Sequence, residues 1–254
     1  MTSSCAQNLD LATDELRSGF VLSDLHLFTR RSMAAGWEGD IARAASAGDF
    51  LVFNGDIVDF RWSTLPSVGD TIDAAVRWLD HWLVAYPRCR FYYVMGNHDG
   101  LAEFGQRLEL LSRLRPNLVW HPSAVCIGSA LFLHGDLPLR LGRGRSLRGP
   151  LPEVLGQHGR LADDCYQLAT AARLPRAAVR IHARRRTVAK VERALQADPP
   201  YALGPVTDVY FGHTHLPFAR HRHGGLTFHN SGSAIRGMDG GLLPVDLREP
   251  VPSR

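Results

Sequence analysis

Five short motifs of Asp, Asn and His are the residues of this chain whose types and spacing could do chemistry. In chain order they are Ser23-Asp24-Leu25-His26, Gly55-Asp56-Ile57-Val58-Asp59, Gly96-Asn97-His98-Asp99, His134-Gly135-Asp136 and Gly212-His213-Thr214-His215. Carboxylate, amide and imidazole groups suit divalent Mn, Fe and Zn ions. The sequence therefore predicts a metal site assembled from five separated motifs.

Each motif directly follows a short apolar run, and such runs, bounded by glycine or polar residues, indicate buried strands. The runs span residues 20–22, 50–53, 91–94, 131–133 and 209–211. Residues at the carboxyl ends of strands in an α/β sheet converge on a crevice. We therefore expect the five motifs to lie close together although they are far apart in the sequence.

Apolar periodicity between these runs predicts the elements that separate them. Helical spacing predicts helices near residues 37–45, 72–86 and 104–114. The second of these helices is expected to be capped by Asp70 or Thr71 and closed by Pro87. Further strands are predicted at residues 119–120 and 124–127, in an antiparallel region with a hairpin turn at Gly128-Ser129. Two closing strands are predicted at residues 226–229 and 241–245.

The interval between His134 and His213 is about twice as long as the earlier intervals between motifs, and the excess lies in residues 140–200. Apolar spacing predicts two helices there, one with Leu161, Cys165, Leu168 and Ala172 on one face and one that buries Val188, Val191 and Leu195. The segment holds 13 Lys and Arg against 5 Asp and Glu, in a chain of net charge +4. This clustering indicates either a solvated face or a basic lid that recognises an anionic substrate.

Length and composition indicate one α/β domain with an insertion, since the chain has 254 residues of which 45% are hydrophobic. The four cysteines have no CxxC spacing, which argues against a disulfide scaffold and favours free thiols. No signal peptide is visible, and no apolar run approaches the about 18 residues that a membrane-spanning helix needs. We therefore expect a cytoplasmic protein.

The order of the five motifs resembles that of the calcineurin-like metallophosphoesterase superfamily, over residues 19–246. The resemblance implies an α/β fold, namely a four-layer α-β-β-α sandwich, here a single domain over residues 1–254 with a helical, lid-like insertion at about 140–200. It also implies a metal-dependent hydrolase that cleaves a phosphodiester, pyrophosphate or phosphomonoester by attack of a metal-bound hydroxide.

The same resemblance implies a role for each motif residue. Two divalent ions, Mn²⁺ or alternatively Fe²⁺ or Zn²⁺, would share the bridging carboxylate of Asp56. The other ligands would be Asp24, His26 and His215 for the first ion and Asn97, His134 and His213 for the second. His98 would be the catalytic residue that stabilises the developing charge or protonates the leaving group, with Asp59 orienting it. Asn97 and His98 would contact the substrate.

Asp99 and Asp136 have two interpretations. Each could hold a metal ligand in place through a hydrogen bond. Each could equally form the turn that follows its strand.

Among the branches of the superfamily, the compact length, the motif around His26, the motif that begins at His134 and the insertion are most similar to the UDP-2,3-diacylglucosamine pyrophosphatase group. Members of that group carry Arg where this chain has His98. The implied partner is a phosphorylated small molecule or a lipid-linked substrate, with peripheral membrane contact as an option. Two other interpretations stay open: a nucleic-acid-binding or nucleolytic protein that uses the basic insertion, and a non-catalytic binding module.

Overall fold

The computed structural model describes residues 16–136, 176–197 and 206–247. In this part of the chain the strands are β1 (Ser18–Leu22), β2 (Phe50–Asn54), β3 (Arg90–Val94), β4 (Leu118–His121), β5 (Ala124–Ile127), β6 (Ala130–Leu133), β7 (Asp208–Phe211), β8 (Phe218–His223), β9 (Leu226–Asn230) and β10 (Leu243–Asp246). The helices are α1 (Glu38–Ala47), α2 (Val68–Ala85), α3 (Ala102–Leu114) and α4 (Arg176–Ala197), with a short 3₁₀ helix at Ala34–Trp37.

The strands form two five-stranded sheets. The first has the order β10-β1-β2-β3-β4, in which β1 to β4 are parallel and β10 is antiparallel to β1. The second has the order β5-β6-β7-β9-β8, in which β6, β7 and β9 are parallel. Every residue of β2 is buried, as expected for a central parallel strand that is covered on both faces.

Three apolar clusters separate four layers of structure. The first packs helices α1 to α3 against the first sheet, for example Trp78 of α2 against Phe53 of β2, with ring centroids 5.3 Å apart. The second lies between the two sheets, where the rings of Phe50 and Phe132 meet edge to face with centroids 6.4 Å apart. The third packs α4, through Val191, against the second sheet. The α-β-β-α sandwich expected from the motifs is therefore confirmed.

The predicted hairpin at Gly128-Ser129 is confirmed, because β5 and β6 pair antiparallel around it. Two other expectations were wrong. Residues 119–120 belong to β4, which is parallel to β3 because the crossover helix α3 joins the two strands. Helix α2 is capped by Ser67, whose Oγ accepts the backbone N–H of Asp70 at 3.0 Å and also contacts the Asp70 carboxylate, so Asp70 supports the cap without being the cap itself.

Of the predicted insertion, only α4 is among the described residues, and it buries Val188, Val191 and Leu195 as expected. The predicted helix around Cys165 lies outside them. Cys89 is a buried free thiol, whereas Cys126 is disulfide-bonded, so the expectation of free thiols is wrong for Cys126. No helix in the described ranges has the length and apolarity needed to cross a membrane.

Candidate metal centre

The five motifs meet at the carboxyl ends of β1, β2, β3, β6 and β7, and backbone hydrogen bonds tie them together. The N–H of Asp24 donates to Gly55 O at 3.0 Å, and the N–H of His26 donates to Asp56 O at 2.9 Å. In the second sheet the N–H of Gly212 donates to His134 O at 2.8 Å. The loops that carry the predicted ligands therefore have a common backbone frame.

The first cluster consists of Asp24, His26 and His215, whose donor atoms face one another. His215 Nε2 lies 3.1 Å from Asp24 Oδ1 and 3.4 Å from His26 Nε2, and His26 Nε2 lies 3.9 Å from Asp24 Oδ1. Donor atoms that are about 2.0–2.2 Å from one ion lie roughly 3–3.5 Å from each other. The three side chains therefore fit a single divalent ion with little rearrangement.

The second cluster consists of Asp56, Asn97, His134 and His213. His134 Nε2 lies 3.0 Å from Asp56 Oδ2 and 3.2 Å from Asn97 Oδ1. One donor atom each from Asp56, His134 and His213 lie within 4.8 Å of one another. The structure thus brings all seven predicted metal ligands together in one crevice.

Two glycines of the motifs are required because another ligand occupies the space of a side chain. A Cβ atom on Gly96 would overlap Asp56 Oδ1, and a Cβ atom on Gly212 would overlap Asp24 Oδ2. Any side chain at either position would displace a predicted metal ligand of a different motif. This explains why glycine precedes Asn97 and His213.

Backbone strain is concentrated at the predicted ligands. In the part of the chain that the structure describes, only two non-glycine residues outside the ligand set, Phe28 and Arg220, have a positive φ. The others are Asp24 (55°), His26 (48°), Asp56 (52°), His213 (65°) and His215 (54°). Such conformations cost about 1–3 kcal/mol each and persist where the surrounding structure enforces them, most often at functional sites.

The charges of the two clusters compensate one another. Burial opposes ionisation of Asp56, but the imidazoles of His134, His98 and His26 outweigh it and hold its pKa well below the usual range. Burial likewise opposes ionisation of Asp24, whose pKa is nevertheless lowered by His215. Burial lowers the pKa of His134, yet Asp56 raises it to about 10. These interactions favour the ionised form of both carboxylates, which is the form that binds a metal.

Asp59 is shared by two histidines, which the sequence analysis did not foresee. Its Oδ2 lies 2.9 Å from His26 Nδ1 and forms a hydrogen bond with it. The same oxygen lies 3.1 Å from His98 Nδ1, which is an ion-pair distance without the geometry of a hydrogen bond. Its Oδ1 accepts the backbone N–H groups of Arg61 and Trp62 at 3.1 and 2.9 Å. Burial lowers the pKa of His98, but Asp56 and Asp59 raise it above its usual value.

Asp99 holds the turn beside the second cluster. Its Oδ1 accepts the N–H of Gly96 at 2.6 Å, and its Oδ2 accepts the N–H of Ile57 at 3.0 Å and the hydroxyl of Tyr93 at 2.7 Å. Asp99 thereby joins the loops that carry Asp56 and Asn97. Asp136 is also buried, and its charge is close enough to raise the pKa of His134.

A buried polar segment at residues 230–233 braces the first and last motifs. Asn230 Nδ2 donates to Gly212 O at 2.9 Å. Ser233 Oγ donates to Asp24 O at 3.0 Å, and the hydroxyls of Ser23 and Ser231 are 2.7 Å apart. The signal in the sequence was the Asn-Ser-Gly-Ser stretch directly after a strand, which resembles a turn of the family without revealing these contacts.

One family model and several solved structures match this chain. The matches include 23 chains of solved structures. One of them is a dimetal phosphatase from Danio rerio, which is 14% identical to this chain and has a TM-score of 0.47. That match covers 93% of this chain and 94% of the Danio rerio chain. Another is 13% identical over 91% of this chain and 95% of its own, with a TM-score of 0.44. No curated protein has a significant match. The calcineurin-like phosphoesterase family model matches residues 20–217. The chain therefore belongs to the calcineurin-like phosphoesterase family and is a metal-dependent phosphoester hydrolase.

Proposed function

We propose that this chain hydrolyses a phosphodiester or diphosphate bond at a two-metal centre. Asp24, His26 and His215 would hold the first ion, Asn97, His134 and His213 the second, and Asp56 would be a ligand of both. The observation that carries the proposal is the pair of donor clusters in one crevice. A hydrogen bond links them, because the N–H of His213 in the second cluster donates to Asp24 Oδ2 in the first at 3.1 Å. Mn²⁺ is the proposed metal and Fe²⁺ and Zn²⁺ are the alternatives, because mixed carboxylate, amide and imidazole ligands suit all three.

When bound, two such ions supply Lewis-acid polarisation of the phosphoryl oxygens and a water-derived nucleophile at neutral pH. The chain's own residues provide the proton donor and the contacts that orient the substrate. The ring of His98 has its Nδ1 beside Asp59, so Nε2 on the opposite side of the ring is left for the substrate. In this role His98 donates a proton to the departing oxygen, a contribution worth about 10²–10⁴-fold in rate.

The second substrate contact is Asn97. Its Oδ1 lies 3.2 Å from His134 Nε2 on the metal side. The amide nitrogen is a hydrogen-bond donor that is suited to a phosphoryl oxygen. Asn97 would therefore orient the phosphoryl group between the ions and His98.

The proposed substrate carries a second anionic group, as UDP-2,3-diacylglucosamine does. The support is resemblance to that branch together with the exposed basic residues of α4, namely Arg185, Arg186, Lys190 and Arg193. We further propose that the chain is one domain that includes the insertion at about 140–200, of which only α4 lies among the described residues. A nucleic-acid phosphodiester is the alternative that the same basic residues favour, because arginine binds phosphate groups well.

The first experiment measures Mn²⁺-dependent hydrolysis of bis(p-nitrophenyl) phosphate beside p-nitrophenyl phosphate. Asp56→Asn is compared with wild type, and Asp73→Asn, an exposed residue of α2 whose partner is Arg107, is the matched control. We expect activity that is lost in Asp56→Asn and on chelation, and kept in Asp73→Asn. Wild type with two bound ions and no activity on either ester, nor on UDP-2,3-diacylglucosamine, would contradict the proposed substrates.

The nucleic-acid alternative needs a separate measurement. A single-stranded oligonucleotide is titrated at 50 and 200 mM salt and then tested for cleavage. Strong, salt-dependent binding with cleavage would favour the alternative over the lipid-linked diphosphate. Hydrolysis of UDP-2,3-diacylglucosamine without oligonucleotide binding would favour the main proposal.

A further inference from the structure

Arg31 is a buried cation directly beside the Asp59–His98 pair, and neither the motifs nor the proposed function gives it a role. Only 7% of the residue is exposed. Its Nη2 lies 3.6 Å from Asp59 Oδ2, and its guanidinium carbon lies 5.7 Å from the ring centre of Trp62. The guanidinium therefore contacts both the carboxylate and the loop that follows it.

The backbone of Arg31 is fixed by contacts to two other loops of the site. Its carbonyl accepts the N–H of Arg236 at 2.8 Å, and the next residue, Ser32, donates from Oγ to Leu25 O at 2.7 Å. The guanidinium thus extends from a loop that is anchored to the first motif and to the segment that follows β9. A side chain held in this way can fix the position of its partner rather than follow it.

The partner atom, Asp59 Oδ2, has three positive or proton-donating neighbours: His26, His98 and Arg31. Two backbone N–H groups hold the other oxygen of this carboxylate, Oδ1, whereas Oδ2 contacts the two histidines that it is meant to orient. Arg31 provides a neighbour that takes no part in metal binding or proton transfer. Its loss would let the carboxylate shift toward His26, away from His98.

We propose that Arg31 is a positioning residue for His98, acting through Asp59. The proposal relies on the proposed function in that His98 is taken as the residue that donates the proton. Arg31 itself does not contact the reacting atoms in this assignment. It keeps Asp59 Oδ2 in the position where the Nδ1 atoms of both histidines can reach it, so that Nε2 of His98 is directed at the substrate.

The chain offers a matched control in Arg61. Its guanidinium carbon lies 5.8 Å from the same Trp62 ring, in the same loop. Within the described ranges, however, the Arg61 side chain has no ion pair with Asp59, since only its backbone N–H contacts that carboxylate. Truncating Arg61 removes a cation from the neighbourhood without removing the contact that the proposal depends on.

The test compares Arg31→Ala, Arg31→Lys and Arg61→Ala in the Mn²⁺-loaded enzyme with bis(p-nitrophenyl) phosphate. We expect Arg31→Ala to lower kcat about 10–100-fold, as displacement of a catalytic group by about 1 Å does, with KM within about 3-fold of wild type. Arg31→Lys and added guanidinium chloride at millimolar concentration should each restore part of kcat. Arg61→Ala should stay within about 2-fold, the scale expected of a surface change remote from the contact.

Three results would overturn the proposal: an unchanged kcat in Arg31→Ala, a loss confined to KM, or an equal loss of kcat in Arg61→Ala. A readout that does not depend on activity is the environment of the His98 ring, followed by the ¹⁵N chemical shift of its Nδ1 in the metal-free protein. Arg31→Ala should move this shift because Asp59 Oδ2 is displaced, and Arg61→Ala should leave it at the wild-type value. An unchanged shift in Arg31→Ala would contradict the proposal. If wild type is inactive, the proposed function fails and this NMR result alone decides the role of Arg31.

Discussion

Asp59 Oδ2 lies 2.9 Å from Nδ1 of His26, a proposed metal ligand, and it is also close to His98, the proposed proton donor. Because the same oxygen lies 3.1 Å from His98 Nδ1, loss of Asp59 should affect both functions. We expect Asp59→Ala to lower kcat by about 10²–10⁴-fold and the affinity for one Mn²⁺ by about 10–100-fold. The measurements are steady-state kinetics and a metal-binding isotherm.

His98→Ala is the comparison for this prediction. It should lower kcat by a similar factor and leave both metal affinities unchanged, because His98 is not a proposed ligand. An Asp59→Ala enzyme with normal metal affinity would contradict the shared role of this carboxylate.

Gly96→Ala should damage the centre without altering any ligand type. Its Cβ would overlap Asp56 Oδ1, so we expect the Asp56 carboxylate to move and the second Mn²⁺ to bind at least about 10-fold more weakly. Metal content after gel filtration provides the measurement. Gly36→Ala is the control, because a Cβ there has no neighbour within 4 Å and should change stability by less than about 1 kcal/mol.

Asp99→Ala should act mainly on stability. It removes the acceptor of three buried donors, from Gly96, Ile57 and the Tyr93 hydroxyl, and we expect a loss of about 2–4 kcal/mol in the free energy of unfolding. Tyr93→Phe removes one of these bonds and should cost about 1 kcal/mol. Urea unfolding measures both. Equal losses in the two variants would show that the turn does not depend on the Asp99 carboxylate.

Outside the centre, Asp208 should make the fold sensitive to acid. The hydrogen bond from His229, 2.9 Å away, lowers the pKa of Asp208 below its ordinary value of 3.8, and burial opposes this only in part. Because the folded-state pKa is the lower one, the stabilisation is present above pH 3.8 and is lost as pH falls through the folded-state value.

The comparison is the free energy of unfolding of wild type and Asp208→Asn between pH 6 and 3. Wild type should lose its advantage over the variant as the pH falls. A constant difference across this range would mean that the Asp208–His229 pair does not contribute through ionisation.

The basic residues of α4 should affect large anionic substrates and not the metal chemistry. The variant replaces four residues by Gln: Arg185, Arg186, Lys190 and Arg193. It should raise KM for UDP-2,3-diacylglucosamine by about 10-fold or more, since each lost charge contact is worth up to about 1 kcal/mol. Hydrolysis of bis(p-nitrophenyl) phosphate should stay within about 2-fold of wild type. The control is Arg113→Gln on α3, whose i,i+4 partner is Glu109. An equal effect on both substrates would indicate that α4 stabilises the fold only.

Most of the strands and helices, and the position of the site at the strand ends, could be predicted from local sequence pattern. Strand runs that end in Asp, Asn or His predict where the ligands lie, because chain direction brings the carboxyl ends of parallel strands to one edge. The grouping of the seven ligand positions and the pairing of Asp59 with His98 were implied by the resemblance to the family and not by local pattern. Local pattern missed β8, whose residues Phe218–His223 alternate weakly and carry Arg and His on an edge strand. It also misassigned the direction of β4, which depends on the path of α3.

What the sequence by itself determined is the set of chemical groups and the order of elements that carry them, because both follow from residue type and from periods of 2 and 3.6 residues. Only the tertiary structure decided which atoms share a partner. The two histidines on Asp59 Oδ2, the cation of Arg31 beside them and the fit of Asp56 against Gly96 join residues from different motifs. Such contacts depend on how loops from separate strands pack to within a few ångströms of each other, and no local spacing in the chain encodes that distance.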